Sequence, residues 1–229
     1  MRRPFAAALT LCALSAGQAG AGMVEDCLQS ADAELQVSAC SEAIDSGRWE
    51  GEGLAWAYGN RGNAHAALRQ PAKALSDYST AIDLDPDFAL SWHNRGLVFA
   101  ALGDQERALD DFTEAVQVDP DLATAWGSRG VALRELGRYE EALDDLDRAI
   151  ELDPDTARHY QNRANVRCAL GQVEGSVEDR LTAIRRGHFS PELVQRVLAG
   201  KGYYDGPVDG AFGRGSVDAL RAWTEAGCD

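Results

Sequence analysis

The side chains in this sequence that could carry out chemistry are its histidines, its cysteines and its adjacent acidic pairs. The four histidines are widely separated, and no two cysteines have the CxxC spacing typical of zinc sites. Adjacent acids such as Asp110 and Asp111 fall on different faces of a helix, so they do not form a positioned acid–base pair. The sequence also lacks the nucleophile-elbow, phosphate-loop and HExxH motifs. We therefore predict a protein that is not an enzyme and that binds no cofactor or metal.

The charge balance narrows the range of partners. The 229 residues include 37 acids and 22 Lys and Arg, which gives a formal net charge of −15. Nucleic acids and anionic lipid headgroups are bound by clustered cations, so we expect neither as a partner. The excess of acids is expected to keep the protein soluble.

The first 21 residues have the composition of a secretory signal peptide. Arg2 and Arg3 precede an apolar stretch from Phe5 to Ala16, and small residues at 19–21 suit a cleavage site. No later stretch approaches the roughly 20 apolar residues that span a membrane. We expect a periplasmic or secreted mature protein, in a Gram-negative envelope, with no membrane span. A retained N-terminal anchor is the alternative.

Cysteine usage agrees with export. Once Cys12 is removed with the signal peptide, four cysteines remain, an even number that can form disulfides in an oxidising compartment. They are Cys27, Cys40, Cys168 and Cys228. Three connectivities are open to these four cysteines. We expect Cys27–Cys40 to join two short helices in an N-terminal cap, residues 22–53, with about 3 kcal/mol of stabilisation in the chain-entropy model. We expect Cys168–Cys228 to tie the C-terminus back to the preceding helices.

The dominant feature of the sequence is a motif that recurs every 34 residues. Each copy has an aromatic residue, an Arg, a small residue, a Leu at a turn and, in the first three copies, a terminal Pro. The aromatic, Arg and small positions are Tyr58, Arg61, Gly62; Trp92, Arg95, Gly96; Trp126, Arg129, Gly130; and Tyr160, Arg163, Ala164. The small residues let two helices approach closely, and the Asp-Pro step stops the second helix. The motif therefore predicts a series of helical hairpins.

The turn within each hairpin has its own signal. A Gly after the Leu tolerates the left-handed conformation that ends a first helix. In the first copy Arg69 replaces this Gly, and Pro71 is expected to begin the second helix.

This pattern resembles the tetratricopeptide repeat family. The resemblance covers residues 54–188, and the repeats are 55–88, 89–122, 123–156 and a degenerate 157–188. It implies an all-α fold, a right-handed superhelical solenoid of helical hairpins with a concave face. In the last repeat Ser176, Arg180 and His188 replace the usual Ala, aromatic and Pro. We interpret this change as capping of the array.

An Arg and an Asp recur in register, with the Arg where the resembled family usually has Leu. The four pairs are Arg61–Asp77, Arg95–Asp111, Arg129–Asp145 and Arg163–Asp179. We expect ion pairs between the two helices of each hairpin, and these would favour specific packing more than stability. A row of Arg that holds an anionic ligand is the alternative.

In the resembled family, peptides or helices lie in a groove lined by the first helices. The corresponding positions here are rich in Asn, whose amide can donate to and accept from a peptide backbone. The candidates are Trp56, Asn60, Asn63, His93, Asn94, Leu97, Val131, Arg134, Gln161, Asn162 and Asn165. Alternatively, these amides satisfy local backbone groups.

Residues 189–229 are predicted to form a small helical unit. Pro191 begins a short helix, a Gly-rich turn region follows, and Ser216 can N-cap a last helix. The Asp-Gly, Asp-Gly, Phe-Gly order resembles the helical peptidoglycan-binding domain of bacterial cell-wall hydrolases. This resemblance implies a wall contact through Tyr203, Tyr204, Asp205, Asp209, Phe212 and Arg214. That family usually continues further, so a unit that only caps the repeats is the alternative.

Together these features favour an exported adaptor that holds a protein or peptide partner in its groove and docks to peptidoglycan through its C-terminal unit. The alternative is a structural accessory subunit of an envelope assembly that needs no groove ligand.

Overall fold

A computed structural model describes residues 22–227, and the predicted signal peptide lies outside this range. The described chain is helical throughout, with no strand between residues 22 and 227, which confirms the all-α fold class. No helix in this part of the chain is long and apolar enough to cross a membrane. The chain divides into two compact units, with the boundary between Leu102 and Gly103.

Unit 1 covers the described residues up to 102. Its helices are α1 (22–29), α2 (Ala33–Asp45), α3 (Ala55–Ala67), α4 (Pro71–Leu84) and α5 (Ala89–Ala101), with a 3-10 turn at Gly51–Leu54. Helices α3 and α4 are the two arms of the first predicted hairpin.

Unit 2 covers the described residues from 103 onward. Its helices are α6 (Gln105–Val118), α7 (Ala123–Glu135), α8 (Tyr139–Leu152), α9 (Ala157–Ala169), α10 (Val173–Arg185), α11 (Pro191–Gly200) and α12 (Arg214–Glu225). Helices α7–α8 and α9–α10 form the third and fourth hairpins, and α11–α12 form the predicted C-terminal unit.

The N-terminal cap is formed by α1 and α2. Cys27 and Cys40 form a disulfide, with an S–S distance of 2.09 Å, and both residues are fully buried. Trp56 packs against them, and its ring meets that of Trp49 edge to face at 5.4 Å. This geometry agrees with the predicted pairing. The predicted Cys168–Cys228 pair involves a residue outside the described range and stays a prediction, although Cys168 Sγ lies 3.8 Å from the carbonyl oxygen of Thr224.

Small residues set the distance between the two helices of a hairpin. A Cβ at Gly62 would lie 2.8 Å from the ring of Tyr78, and one at Gly130 would lie 2.8 Å from Cγ of Leu146. Tyr78 and Leu146 are themselves almost completely buried. The large side chain of one helix therefore fills the space that the Gly of the other leaves, and the two helices approach closely as predicted.

The C-terminal helices cover the end of the fourth hairpin. Leu198 of α11 and Leu220 of α12 share a buried cluster with Val177 of α10. One local prediction was wrong, because α12 begins at Arg214 and its N-cap is Gly213. Ser216 is instead buried, and its hydroxyl accepts a hydrogen bond from Gln195 Nε2 at 3.2 Å.

Candidate functional site

The predicted Arg–Asp pairs are present where one compact unit contains both partners. Arg61 donates to both carboxylate oxygens of Asp77 at 2.9 and 2.7 Å. Arg129 with Asp145 and Arg163 with Asp179 repeat this two-bond geometry at distances of 2.6 to 2.9 Å. The three Asp residues are buried. These pairs confirm the structural interpretation, and the Arg95–Asp111 pair, whose partners lie in different units, stays a prediction.

All four Arg residues lie over an aromatic ring on their own helix, and three of them also contact the helix that precedes their own hairpin. Arg61 Nη1 donates to Ser41 Oγ at 3.1 Å, Arg95 Nη1 donates to Ser79 Oγ at 3.0 Å, and Arg163 Nη1 donates to Asp147. The guanidinium carbons lie 4.7 to 5.8 Å from the ring centres three residues earlier. These protein contacts favour the structural interpretation of the Arg residues over a row that holds an anionic ligand.

In unit 1 the predicted ligand residues separate into two groups. Asn60 Nδ2 donates to the carbonyl oxygen of Trp56 at 2.8 Å, so this amide forms a hydrogen bond within its own helix. His93 is buried. Asn94 Nδ2, by contrast, donates to Asn63 Oδ1 at 3.0 Å, which joins α5 to α3 at the surface. Leu97, one turn along α5 from Asn94, leaves 44% of its surface exposed.

In unit 2 the predicted residues cluster on α9. Gln161 Nε2 donates to Asn165 Oδ1 at 2.9 Å, and both side chains are half-buried. Asn162 and Val131 are also half-buried, and Arg134 pairs with its neighbour Glu135. The structure therefore brings together an amide pair in each unit and disperses the other candidates.

A cavity of about 350 Å³ lies in unit 2 between the fourth hairpin and the C-terminal helices. Its apolar walls come from α10, α11, α12 and the segment that precedes α11. The lining residues are Gln161, Asn165, Arg180, Ile184, Phe189, Leu193, Val194, Val197, Leu198, Leu220 and Trp223. The sequence analysis did not predict this cavity. The feature that could have indicated it is Arg180, which stands where the earlier repeats have a large apolar side chain.

The Gly-rich stretch before α12 is organised by one buried side chain. Gln195 of α11 is fully buried, and its Oε1 accepts from the backbone nitrogens of Asp209 and Gly210 at 3.1 and 2.9 Å. Its Nε2 donates to Ser216 Oγ and to the carbonyl oxygen of Ala211, both at 3.2 Å. The second Asp-Gly step of the sequence, Asp209-Gly210, is thus held in a defined loop.

The residues predicted to contact the cell wall are divided between this loop's surface and its interior. Tyr204 and Phe212 pack against the buried cluster of Val177, Leu198 and Leu220. Tyr203, Asp205, Asp209 and Arg214 are exposed.

A buried histidine marks a polar position inside the repeats. His159 is 4% exposed, and neither ring nitrogen has a hydrogen-bond partner in the described chain. Gly127 makes room for it, since a Cβ there would lie 2.8 Å from the ring. Burial lowers the pKa of His159 below its usual value of 6.5, because the charged form loses its hydration. The ring is therefore a neutral packing element rather than a base.

These hairpins, with a Gly opposite a large side chain and a regular period, define a helical-repeat protein. The family model for the tetratricopeptide repeat matches residues 55–88, 89–122 and 123–156. Residues 55–156 therefore carry three tetratricopeptide repeats. Comparison with curated protein sequences gives no match.

Solved structures of tetratricopeptide-repeat proteins share the fold. MamA from Desulfovibrio magneticus RS-1 is similar with a TM-score of 0.63 at 17% identity, over 75% of this chain and 94% of that chain. YrrB, a TPR protein with an unusual peptide-binding site, is similar with a TM-score of 0.59 at 19% identity, over 73% of this chain and 84% of that chain. The first TPR of Spaghetti (RPAP3), bound to the HSP90 peptide SRMEEVD, is similar with a TM-score of 0.50 at 26% identity, over 51% of this chain and 92% of that chain.

Proposed function

We propose that this protein is an exported, non-enzymatic scaffold that binds a protein or peptide segment through the first helices of its hairpins. The observation that carries this proposal is the surface amide pair Asn63–Asn94 beside the exposed Leu97. Asn63 Oδ1 is occupied by Asn94 Nδ2 and by the hydroxyl of Tyr78 at 2.7 Å. The Nδ2 of Asn63 and the Oδ1 of Asn94 are left to donate to and accept from a peptide backbone.

The similarity to the RPAP3 repeat domain supports a peptide as the ligand. That domain is 26% identical to this chain and was solved with a peptide bound. A polar backbone contact beside an apolar side chain is the arrangement by which extended segments are commonly recognised.

The test is a comparison of surface variants by cross-linking in an envelope extract. We expect proteins captured by the wild type to be lost with Asn94→Ala combined with Leu97→Ser, which removes both the amide and the apolar contact. Ser76→Ala, on the exposed face of α4, is the matched control. If the double variant captures the same proteins as Ser76→Ala, the accessory-subunit function is favoured instead.

Export is the second part of the proposal. The buried Cys27–Cys40 disulfide supports it, because such bonds persist in oxidising compartments. Cell fractionation and intact-mass measurement test this part. We expect the protein in the periplasm or medium with a mature chain that begins at residue 22 and lacks two hydrogens for each disulfide. A cytoplasmic, full-length and reduced chain would contradict it.

Docking to peptidoglycan is the third part. It is supported by the exposure of Tyr203, Asp205 and Arg214 on one loop and helix start, which Gln195 holds in place. Sedimentation with purified peptidoglycan tests it. We expect the wild type to pellet and the Tyr203→Ala, Arg214→Ala variant to remain in solution. Pelleting no greater than that of an unrelated protein would leave the C-terminal helices with a capping role only.

A further inference from the structure

The cavity in unit 2 is lined by one charged residue, Arg180, and within the described residues it lacks the carboxylate partner that Arg61, Arg129 and Arg163 have. Arg180 is 7% exposed. Its Nε donates to Ser176 Oγ and its Nη2 to Asn165 Oδ1, both at the long distance of 3.4 Å. No carboxylate within the described residues forms an ion pair with it. Arg129, by comparison, makes two bonds of 2.7 Å to Asp145.

The protein compensates the charge of Arg180 only in part. Its guanidinium carbon lies 4.6 Å from the ring centre of Trp223, a cation–π contact. Burial nevertheless lowers the pKa of Arg180 to about 10, because no acid offsets the lost hydration. The group is still charged at neutral pH. A guanidinium has five N–H donors, so those not used by Ser176 and Asn165 remain available.

The rest of the cavity sets the shape and polarity of what could bind there. Phe189, Leu193 and Val197 lie along it and are also 39 to 45% exposed, so the apolar surface continues to the protein exterior. The volume of about 350 Å³ is that of a small-molecule site. Among the described lining residues, the other polar side-chain groups are the amides of Gln161 and Asn165 and the indole N–H of Trp223.

We propose that this cavity binds a small aliphatic carboxylate, with its carboxylate on Arg180 and its chain between α11 and α12. A carboxylate accepts two parallel N–H bonds from a guanidinium, and this pairing supplies the counter-charge that the site lacks. An aliphatic chain removes the exposed apolar surface from water. A phosphate group is a poorer match, since its second charge would find no second cation in the cavity.

This site is separate from the peptide contact proposed for α3 and α5. It lies wholly within unit 2 and includes side chains from the C-terminal helices, which the tetratricopeptide match at residues 55–156 does not reach. Either proposal can therefore fail without the other.

The test is isothermal titration of the full mature chain with decanoate and with decan-1-ol, below their aggregation limits. We expect decanoate to bind with one-to-one stoichiometry and the alcohol at least tenfold more weakly. Arg180→Met keeps the volume and removes the charge, and we expect it to lose at least tenfold in decanoate affinity. Arg185→Met, an exposed Arg on the same helix, is the matched control and is expected to bind as the wild type does.

A second variant keeps the test decisive if Arg180→Met fails to fold. Val197→Asp places an acid on an exposed wall residue and is expected to abolish decanoate binding while the helical circular dichroism is unchanged. Equal affinity for the acid and the alcohol would overturn the proposal. Unchanged affinity in a folded Arg180→Met would do the same, as would the absence of decanoate binding by the wild type.

Discussion

At the scale of single residues, the role of an Arg in this protein depends on what lies opposite it. Arg129 faces Asp145 across a hairpin and is held by two bonds of 2.7 Å. Arg180 faces an apolar cavity, and its hydrogen-bond partners among residues 22–227 are the neutral Ser176 and Asn165. A buried ion pair mainly specifies packing, whereas a buried cation without an acid is costly. The first arrangement is therefore structural and the second is suited to a ligand.

The Arg129–Asp145 pair can be tested by comparing the loss of one partner with the replacement of both partners by apolar residues. We expect Asp145→Ala to lower the free energy of unfolding by about 2 kcal/mol, less than for a fully buried pair because Arg129 is partly exposed. Arg129→Met combined with Asp145→Leu is expected to recover most of this loss. Urea denaturation measures both. Glu141→Ala, which removes an exposed partner of Arg138, should have no measurable effect. A double variant no more stable than Asp145→Ala would contradict a charge-based cause.

His159 predicts a pH dependence of stability. Its pKa in the folded protein lies below the unfolded value of 6.5, because burial opposes protonation. The unfolded chain therefore takes up the proton first as the pH falls, and stability present above about pH 6.5 is lost below it. We expect the free energy of unfolding to fall between about pH 7 and about pH 5.5. His159→Ala should make this decline shallower, whatever its effect on absolute stability. An equal slope in both proteins would assign the effect to other groups.

At the scale of elements, each hairpin depends on a turn in the left-handed region of the backbone. Gly137 and Gly171 occupy this position with φ of 76° and 69°. In the first hairpin, Arg69 adopts φ of 56° at the same position. Only Gly adopts this conformation without a steric cost. The α3–α4 turn is thus the strained member of the series.

Replacing Arg69 by Gly should relieve this strain. We expect Arg69→Gly to stabilise unit 1 by about 1 kcal/mol, the usual cost of a left-handed non-Gly residue. Arg69→Ala keeps a Cβ and removes only the charge, so it should give no such gain. Thermal and urea unfolding of both variants give the comparison. A gain of the same size with Ala would mean that charge, and not backbone conformation, is responsible.

At the scale of the whole molecule, a repeat array must cover the apolar face of its last member. The fourth hairpin has this face on α10, where Val177 contacts Leu198 and Leu220 of the C-terminal helices. Terminal repeats without such a cover are poorly soluble. The C-terminal helices therefore have a structural role whether or not they also bind peptidoglycan.

A chain that ends after residue 188 tests this role. Removing α11 and α12 exposes Val177 and its neighbours to water, so we expect a lower melting temperature, binding of a hydrophobic dye and a tendency to aggregate. A chain that begins at residue 22 and keeps these helices is the control. If the shortened chain melts at the same temperature and binds no dye, α11 and α12 do not stabilise the array.

The local structure of the repeats could be predicted from the sequence because it depends on residues at a fixed spacing. Arg61 and Asp77 recur every 34 residues, and a small residue recurs at the position of Gly62, so every copy fits the same helical hairpin. The disulfide between Cys27 and Cys40 was predicted on similarly local grounds. The predicted N-cap at Ser216 was wrong, because the Ser216 hydroxyl accepts a hydrogen bond from the distant Gln195 and does not cap its own helix.

The candidate ligand sites were less predictable. Asn60 and Asn94 have the same register in their repeats, yet Asn60 bonds to its own helix and Asn94 bonds to Asn63 on another. The rotamer and the neighbours of each Asn decide which partner it bonds to, and neither can be predicted from the spacing of residues along the chain.

The amino-acid sequence by itself determined the helical hairpins, their period and their paired charges, because these follow from contacts that repeat along the chain. Only the tertiary structure decided where a cavity forms. Arg180 lies in the last repeat, whereas Phe189 and Trp223 lie outside the 34-residue period, and the three meet because α11 and α12 fold back on α10. Such a meeting depends on the packing of whole helices, so it cannot be read from the spacing of residues.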